Sequence, residues 1–248
     1  DSMGHISRVA SGKGGVGKTT VTANIAACLA KSGNRVLCFD GDLYLKNLDI
    51  LMNKQDESVF DIQDMYLSRC DFDKAVLEHE EIKGLFFVPA PSLVEEDAGE
   101  MYSYMMKLAV EISENYDFIF IDCPAGLSAV KKLMTPDAVL LLVATPDQPS
   151  VRGAEKVAQI AYDKGARARL IVNKVRPAMI KKKLAPNIDD IIDDTTVRLI
   201  GIIPDDKTVL SAAAKGSVLC LEKKSDAEKA VENISARLCG ATVPLLKL

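Results

Sequence analysis

The run Ser11-Gly12-Lys13-Gly14-Gly15-Val16-Gly17-Lys18-Thr19-Thr20 restricts this chain more than any other stretch. It satisfies G-x-x-x-x-G-K-[ST], a loop whose backbone amides cradle phosphate groups. That pattern has meaning only between a strand and a helix, and both flanks comply. Residues 6–10 are a short strand-like run, an edge or first strand, and residues 21–30 carry the apolar residues and alanines of a packed helix. Gly12, Gly14, Gly15 and Gly17 free the backbone to take positive φ and to approach an anion closely. The loop amides then form a nest at a helix start, where the helix dipole favours negative charge. Lys18 is expected to neutralise β- and γ-phosphates, and the Thr19 hydroxyl to ligate Mg²⁺. Val16 and Thr20 complete the expected nucleotide-binding stretch.

Two further strands end in acids. Residues 35–40 form an apolar run closing on Asp40, followed by Gly41 and Asp42. Residues 117–122 are the strongest strand signal and close on Asp122, as a Walker B strand does, with the loop Cys123-Pro124-Ala125-Gly126-Leu127 behind it. In open α/β sheets ligands sit beyond the carboxyl ends of strands. Asp40 and Asp122 are therefore expected beside Mg²⁺, and Asp42 is placed for water work. Other strands are expected over 85–90, 137–144, 168–173 and 197–203. Helices are expected over 58–68, 97–115, from a cap near Ser150 to 164, and over 226–239. On the first, Val59, Ile62, Met65 and Tyr66 share a face; on the second, Met101, Met105, Leu108, Val110 and Ile112 do. Such alternation predicts an α/β fold: a single-domain P-loop NTPase with a mainly parallel sheet of roughly seven strands flanked by helices on both faces. Asp1 and Ser2 ahead of Met3 read as an expression remnant, so the domain is expected over 3–248.

Lys13 is one lysine more than an ordinary P-loop needs. Early in the loop, it lies too far from the γ-phosphate of its own site for an obvious task. Gly12-Lys13-Gly14-Gly15-Val16-Gly17-Lys18-Thr19-Thr20 resembles the deviant Walker A of the MinD/ParA family of ATPases, and the likeness runs through residues 201–205. In that family the extra lysine enters the partner's site when two ATP-bound subunits pack face to face. Residues 40–49 resemble the family's first switch, and residues 123–127 its second. The resemblance implies that Lys13, Lys18 and Asp42 carry catalysis, Asp42 by orienting the attacking water. It also implies an ATP-dependent homodimer that hydrolysis dissolves and a protein partner that activates or inhibits the cycle. The implied role is a spatial switch, as in division-site placement. A nucleotide-gated scaffold and a ParA-type partition ATPase are the alternatives.

The composition agrees. The chain has 248 residues, 48% hydrophobic and only 5% aromatic, which suits aliphatic parallel strands. A net charge of −4 gives no nucleic-acid surface. The basic run Lys181-Lys182-Lys183 reads as a solvated face. Cysteines 28, 38, 70, 123, 220 and 239 lack metal-cluster spacing and read as reduced thiols. That argues against the iron–sulfur branches of the family and against a dimer-bridging metal. No leader segment or membrane-length apolar run is read, so the cytoplasm is the expected location, with peripheral contact at the inner membrane surface the further option. For that contact the tail offers Leu245, Leu246 and Leu248, but Pro244, a single Lys and no aromatic. The tail thus departs from the amphipathic membrane helix of the MinD branch.

Asn173-Lys174-Val175-Arg176 invites comparison with the guanine reader N-K-x-D. That reader needs a carboxylate in fourth place to accept guanine's N–H groups, and Arg176 has no acceptor. Asn173 can still offer its amide to adenine's N6 and N7. In the family the matching Asn and the loop after the next strand frame adenine; here that loop is Pro204-Asp205-Asp206. ATP and ADP are the expected ligands. In competition titrations ATP should displace a bound nucleotide at lower concentration than GTP; equal or better GTP affinity overturns this expectation.

Overall fold

The structure, a computed structural model, describes residues 4–43, 48–51, 59–95 and 97–246. Its strands are β1 (His5–Ala10), β2 (Val36–Asp40), β3 (Leu77–Glu78), β4 (Leu85–Val88), β5 (Phe118–Asp122), β6 (Val139–Ala144), β7 (Arg167–Val175) and β8 (Leu199–Pro204). They form one sheet of eight strands in the order β3-β4-β2-β5-β1-β6-β7-β8. All neighbours are parallel except the pair β3–β4. The strand beyond the expected seven is β3, a two-residue edge whose shortness hides its pattern.

Alternation along each strand feeds two cores. Leu37, Phe39, Ile119, Ile121, Leu140 and Leu142 point to one face. Val36, Cys38, Phe118, Phe120, Leu141 and Val143 point to the other. The first core is covered by helices that include Ala98–Glu111, Leu127–Leu133 and Gln148–Asp163. The second is covered by Lys18–Lys31 and Asp226–Leu238. Burial on both faces is why these strands read as continuous apolar runs.

Several local expectations change. The edge alternative for β1 is excluded: it lies between β5 and β6. Its Arg8 is buried, with Nε donating to the Leu133 carbonyl at 3.3 Å and a terminal nitrogen to Thr135 Oγ1 at 3.1 Å. The helix expected over 58–68 is only Ile62–Tyr66, set by a capping box between Asp61 and Asp64. Val59 precedes it and is 80% exposed, and Ser58 lies outside the described residues. In the helix Ala98–Glu111, Met101, Met105 and Leu108 are buried, but Val110 is 53% exposed and does not face the sheet. The helix expected from a cap near Ser150 runs Gln148–Asp163, with Asp147 as the cap accepting from the Ser150 amide at 3.0 Å.

Cys28, Cys38, Cys123 and Cys220 are buried and all six cysteines are free thiols. Lys181, Lys182 and Lys183 are exposed, as a solvated face should be. In the tail, Leu246 packs against the second core and Leu245 is 46% exposed, while Leu248 lies outside the described residues. Among the described residues no helix is long and apolar enough to cross a membrane.

The helix Gln148–Asp163 meets the glycine loop backbone to backbone. A Cβ on Gly153 would lie 2.8 Å from the Gly12 carbonyl oxygen, and one on Gly12 would lie 1.9 Å from the Gly153 carbonyl carbon. In an exposed helix, alanine gains about 1 kcal/mol over glycine. At Gly153 the sign should reverse, with Gly153→Ala losing about 1–3 kcal/mol through overpacking. Urea unfolding measures it; a more stable variant would mean that helix and loop do not touch.

Candidate active site

Because the seven longer strands are parallel, their carboxyl ends share one edge of the sheet. That edge gathers the loop after β1, Asp40 to Leu43 after β2, the turn after Asp122, Thr145 to Asp147, Asn173 to Arg176 and Pro204 to Asp206. The chain winds from β1 outward to β4, returns through β5, then crosses β1 to reach β6. The loop after β1 therefore lies at the switch point, where open α/β sheets leave a crevice.

Lys18 opens the first long helix and is 7% exposed; Asp122 is fully buried. Lys18 Nζ donates to Asp122 Oδ1 at 2.7 Å and Thr19 Oγ1 to Oδ2 at 2.5 Å. Thr22, one turn on, donates to Oδ1 at 3.2 Å. Thr20 lies in the same turn, its carbonyl accepting from Asn24 Nδ2 at 2.8 Å.

Asp40 sits directly opposite Asp122 in the β2–β5 register and is also fully buried. Its carboxylate accepts from the amides of Asp42 and Leu48, each at 3.1 Å. Burial pushes the Asp40 carboxyl up to about 7; Asp122 adds to the rise and the two amides oppose it. Gly41 fits between these acids because a Cβ there would lie 2.6 Å from the Asp122 carbonyl oxygen. Asp42 is buried two residues past Asp40. Of the first-switch resemblance, Tyr44, Leu45, Lys46 and Asn47 lie outside the described residues.

The glycines divide their work differently from the expectation of positive φ throughout. Only Gly15 and Gly17 take it, at 78° and 86°. Gly12 is needed instead for its contact with Gly153. Space around Gly14 and Gly15 is open to a ligand, with nothing within 4 Å of a hypothetical Cβ.

Lys13 reaches Asp147 of its own chain, Nζ to Oδ1 at 3.3 Å, with side-chain exposures of 48% and 42%. Burial works to raise the Asp147 carboxyl, but bonds from Thr145, the Ser150 amide and Lys13 together hold it below its ordinary value. On the far side, Asn173 Nδ2 donates to the Val16 carbonyl at 2.8 Å and Lys174 Nζ to the Gly15 carbonyl at 2.7 Å. Arg176 Nε donates to Asp205, whose amide binds the Val175 carbonyl at 2.9 Å beside Pro204. An open cleft of about 360 Å³ runs between these loops, lined by Lys13, Gly15, Asp147, Lys174 and Met179 among others.

Lys18, Thr19, Asp40 and Asp122 are thus brought into one cluster, buried except for the partly buried Thr19, Asn173 is joined to the loop, and Lys13 stands at its outer rim. Asp147, Gly153 and Thr22 were not singled out by the sequence reading, and Lys174 entered it only as part of the motif Asn173-Lys174-Val175-Arg176. A glycine inside a helical pattern and a threonine one turn after the motif were signals for two of them.

A family model described as the CobQ/CobB/MinD/ParA nucleotide binding domain matches residues 8–219. The chain belongs to the MinD/ParA family. MinD/ParA proteins are P-loop ATPases. The septum site-determining protein MinD of Synechocystis sp. is 38% identical over 248 residues, spanning 98% of this chain and 92% of that protein. MinD from the MinC:MinD cell division protein complex of Aquifex aeolicus superposes with a TM-score of 0.88 at 32% identity, covering 98% of both chains. In fold alone, the chain also resembles the MinD of Pyrococcus horikoshii complexed with Mg-ADP. That match has a TM-score of 0.81 at 24% identity and covers 95% of this chain and 96% of that one.

Proposed function

We propose that this chain is a Mg²⁺-dependent ATPase of the MinD kind. Two ATP-bound subunits pack face to face, hydrolysis separates them, and the cycle acts as a spatial switch in placing the division site. The observation that carries the reading is the convergence of Lys18 and Thr19 on Asp122, with Asp40 in register beside it. The septum-site role of the MinD relatives supports the cellular task, and the MinC:MinD pair supports a protein partner that regulates the cycle.

Phosphoryl transfer needs positioning and charge neutralisation more than covalent chemistry. Gly12, Gly14, Gly15, Val16, Gly17, Lys18, Thr19 and Thr20 hold the phosphates. An arriving phosphate gives Lys18 a second anion besides Asp122 and frees oxygens of Asp122 and Thr19. The donor set fits Mg²⁺, which takes hard oxygens and is bound by one or two carboxylates plus substrate phosphates. Thr19, Asp40 and Asp122 would hold the ion, and its chemistry is to neutralise charge on the β- and γ-phosphate oxygens. Asp42 orients the attacking water. Asn173, Pro204 and Asp205 frame adenine. Arg176 engages the Asp205 carboxylate, leaving it a poor acceptor for guanine's N–H groups.

Removing Asp42 and removing Lys18 should fail differently. Asp42→Ala should still bind ATP while single-turnover hydrolysis falls about a hundredfold or more, the usual worth of a positioned base. Lys18→Ala should lose nucleotide binding itself. Hydrolysis at the wild-type rate in Asp42→Ala would remove Asp42 from the mechanism.

For Lys13 the expected role lies across the dimer. A cation supplied by a partner to the γ-phosphoryl group is worth about a thousandfold or more. Activity per subunit should therefore rise with protein concentration and level off. Lys13→Ala should bind ATP, fail to hydrolyse it and dimerise poorly. Analytical ultracentrifugation of Asp42→Ala, with and without Lys13→Ala, measures the dimer. Equal ATP-dependent dimers together with normal hydrolysis by Lys13→Ala would exclude a role across the interface.

A further inference from the structure

We propose that Lys174 is a positioning residue for the phosphate-binding loop, and that with Asn173 it forms a two-point clamp on that loop from the end of β7. This rests on the reading above that the loop binds a nucleotide. Lys174 Nζ donates to the Gly15 carbonyl at 2.7 Å, and Asn173 Nδ2 to the Val16 carbonyl at 2.8 Å. The two acceptors are consecutive, and so are the two donors.

A regular strand would send consecutive side chains to opposite faces. Here the alternation is broken. Lys174 takes φ of 57°, and the β7–β8 register shifts between Val172 and Val175. A left-handed backbone at a residue with a Cβ is unfavourable and persists where its surroundings impose it. What this one achieves is to turn both side chains onto the same loop. The fit is close: a Cβ on Gly17 would lie 2.6 Å from Asn173 Nδ2 and 3.6 Å from Lys174 Cε.

The consequence for phosphate binding follows from peptide planarity. The carbonyl of Gly15 and the amide of Val16 belong to one planar unit and point in opposite directions, as do the carbonyl of Val16 and the amide of Gly17. Tying both carbonyls toward β7 turns both amides away from it, into the loop. Hydrogen bonds to a carbonyl also polarise its peptide, so the opposing N–H becomes a better donor to an anion. Lys174, an ammonium, does this more strongly than a neutral donor. It therefore acts on the phosphates through the loop and need not touch the base.

Affinity for AMP and for Mg-ADP, measured by calorimetry on the full chain, separates this from the alternatives. Lys174→Met should weaken ADP about tenfold, the scale of one charge-assisted hydrogen bond, and AMP less than twofold. Lys174→Arg, which keeps a donor, should restore most ADP affinity. Lys174→Gly relieves the backbone strain, so it should fold at least as stably as the wild type and yet lose ADP affinity as Met does. Equal losses for AMP and ADP would make Lys174 a base contact and overturn the clamp. So would wild-type ADP affinity in Lys174→Met or Lys174→Gly. Absence of ADP binding by the wild type would instead overturn the nucleotide reading, and the clamp with it.

Discussion

The buried bond between Lys18 and Asp122 determines how the rest of the site is arranged. A carboxylate taken fully out of water costs several kcal/mol unless compensated. Asp122, at the end of an inner strand, is compensated by an ammonium and two hydroxyls, all from the first turns of the helix Lys18–Lys31. This demand fixes that helix against β5 with its amino end at the crevice. It also leaves the neighbouring acid less well served. Asp40, opposite in register, has two backbone amides and a like charge beside it, and burial pushes its carboxyl up to about 7. The two acids thus stand side by side with unequal sets of partners.

Around this bond the backbone is packed to contact. Gly41 lies against the Asp122 carbonyl, Gly12 against Gly153, and Gly17 against the Asn173 amide. Each is a place where one methyl group would collide with main chain or with a buried amide. Two of these contacts, at Gly12 and Gly17, hold the loop, and the space around Gly14 and Gly15 is open. A nest of amides binds anions well only if its geometry survives without the anion, and these contacts preserve it.

Most of the architecture was legible because it is local. Apolar runs ending in Asp40 and Asp122 mark parallel strands, and the glycine motif marks the first strand–helix turn. What escaped is long-range. Nothing near residue 174 says that its ammonium reaches residue 15, 159 positions earlier. Its left-handed φ is unusual for lysine, so local propensity argues against it. The helix Ile62–Tyr66 was overextended because Val59 continued an apolar period that the capping box at Asp61 cuts off. Val110 shows the opposite error: its apolar type placed it in the core, whereas its position on the helix surface leaves it half exposed. Pattern reads which residues suit an interior; tertiary contacts decide which of them reach it.

The two lysines of the loop show how the same residue type is put to different uses by its tether. Lys18 is buried against a carboxylate that is itself fully buried. Breaking that pair without a replacement anion would strand a charge away from water, so Lys18 is retained in its own site. Lys13 is held to Asp147 in the open, at 3.3 Å and with both side chains nearly half exposed. Pairs of that kind contribute about 0–1 kcal/mol, less than thermal and solvent competition readily overcome. Its partner, moreover, is already satisfied by Thr145 and by the Ser150 amide, so Asp147 loses little when Lys13 leaves. A cation meant to serve a second subunit has to be surrendered cheaply by its own. The weakness of the Lys13–Asp147 contact is therefore what the proposed transfer across the dimer requires, as the strength of the Lys18–Asp122 contact is what retention requires.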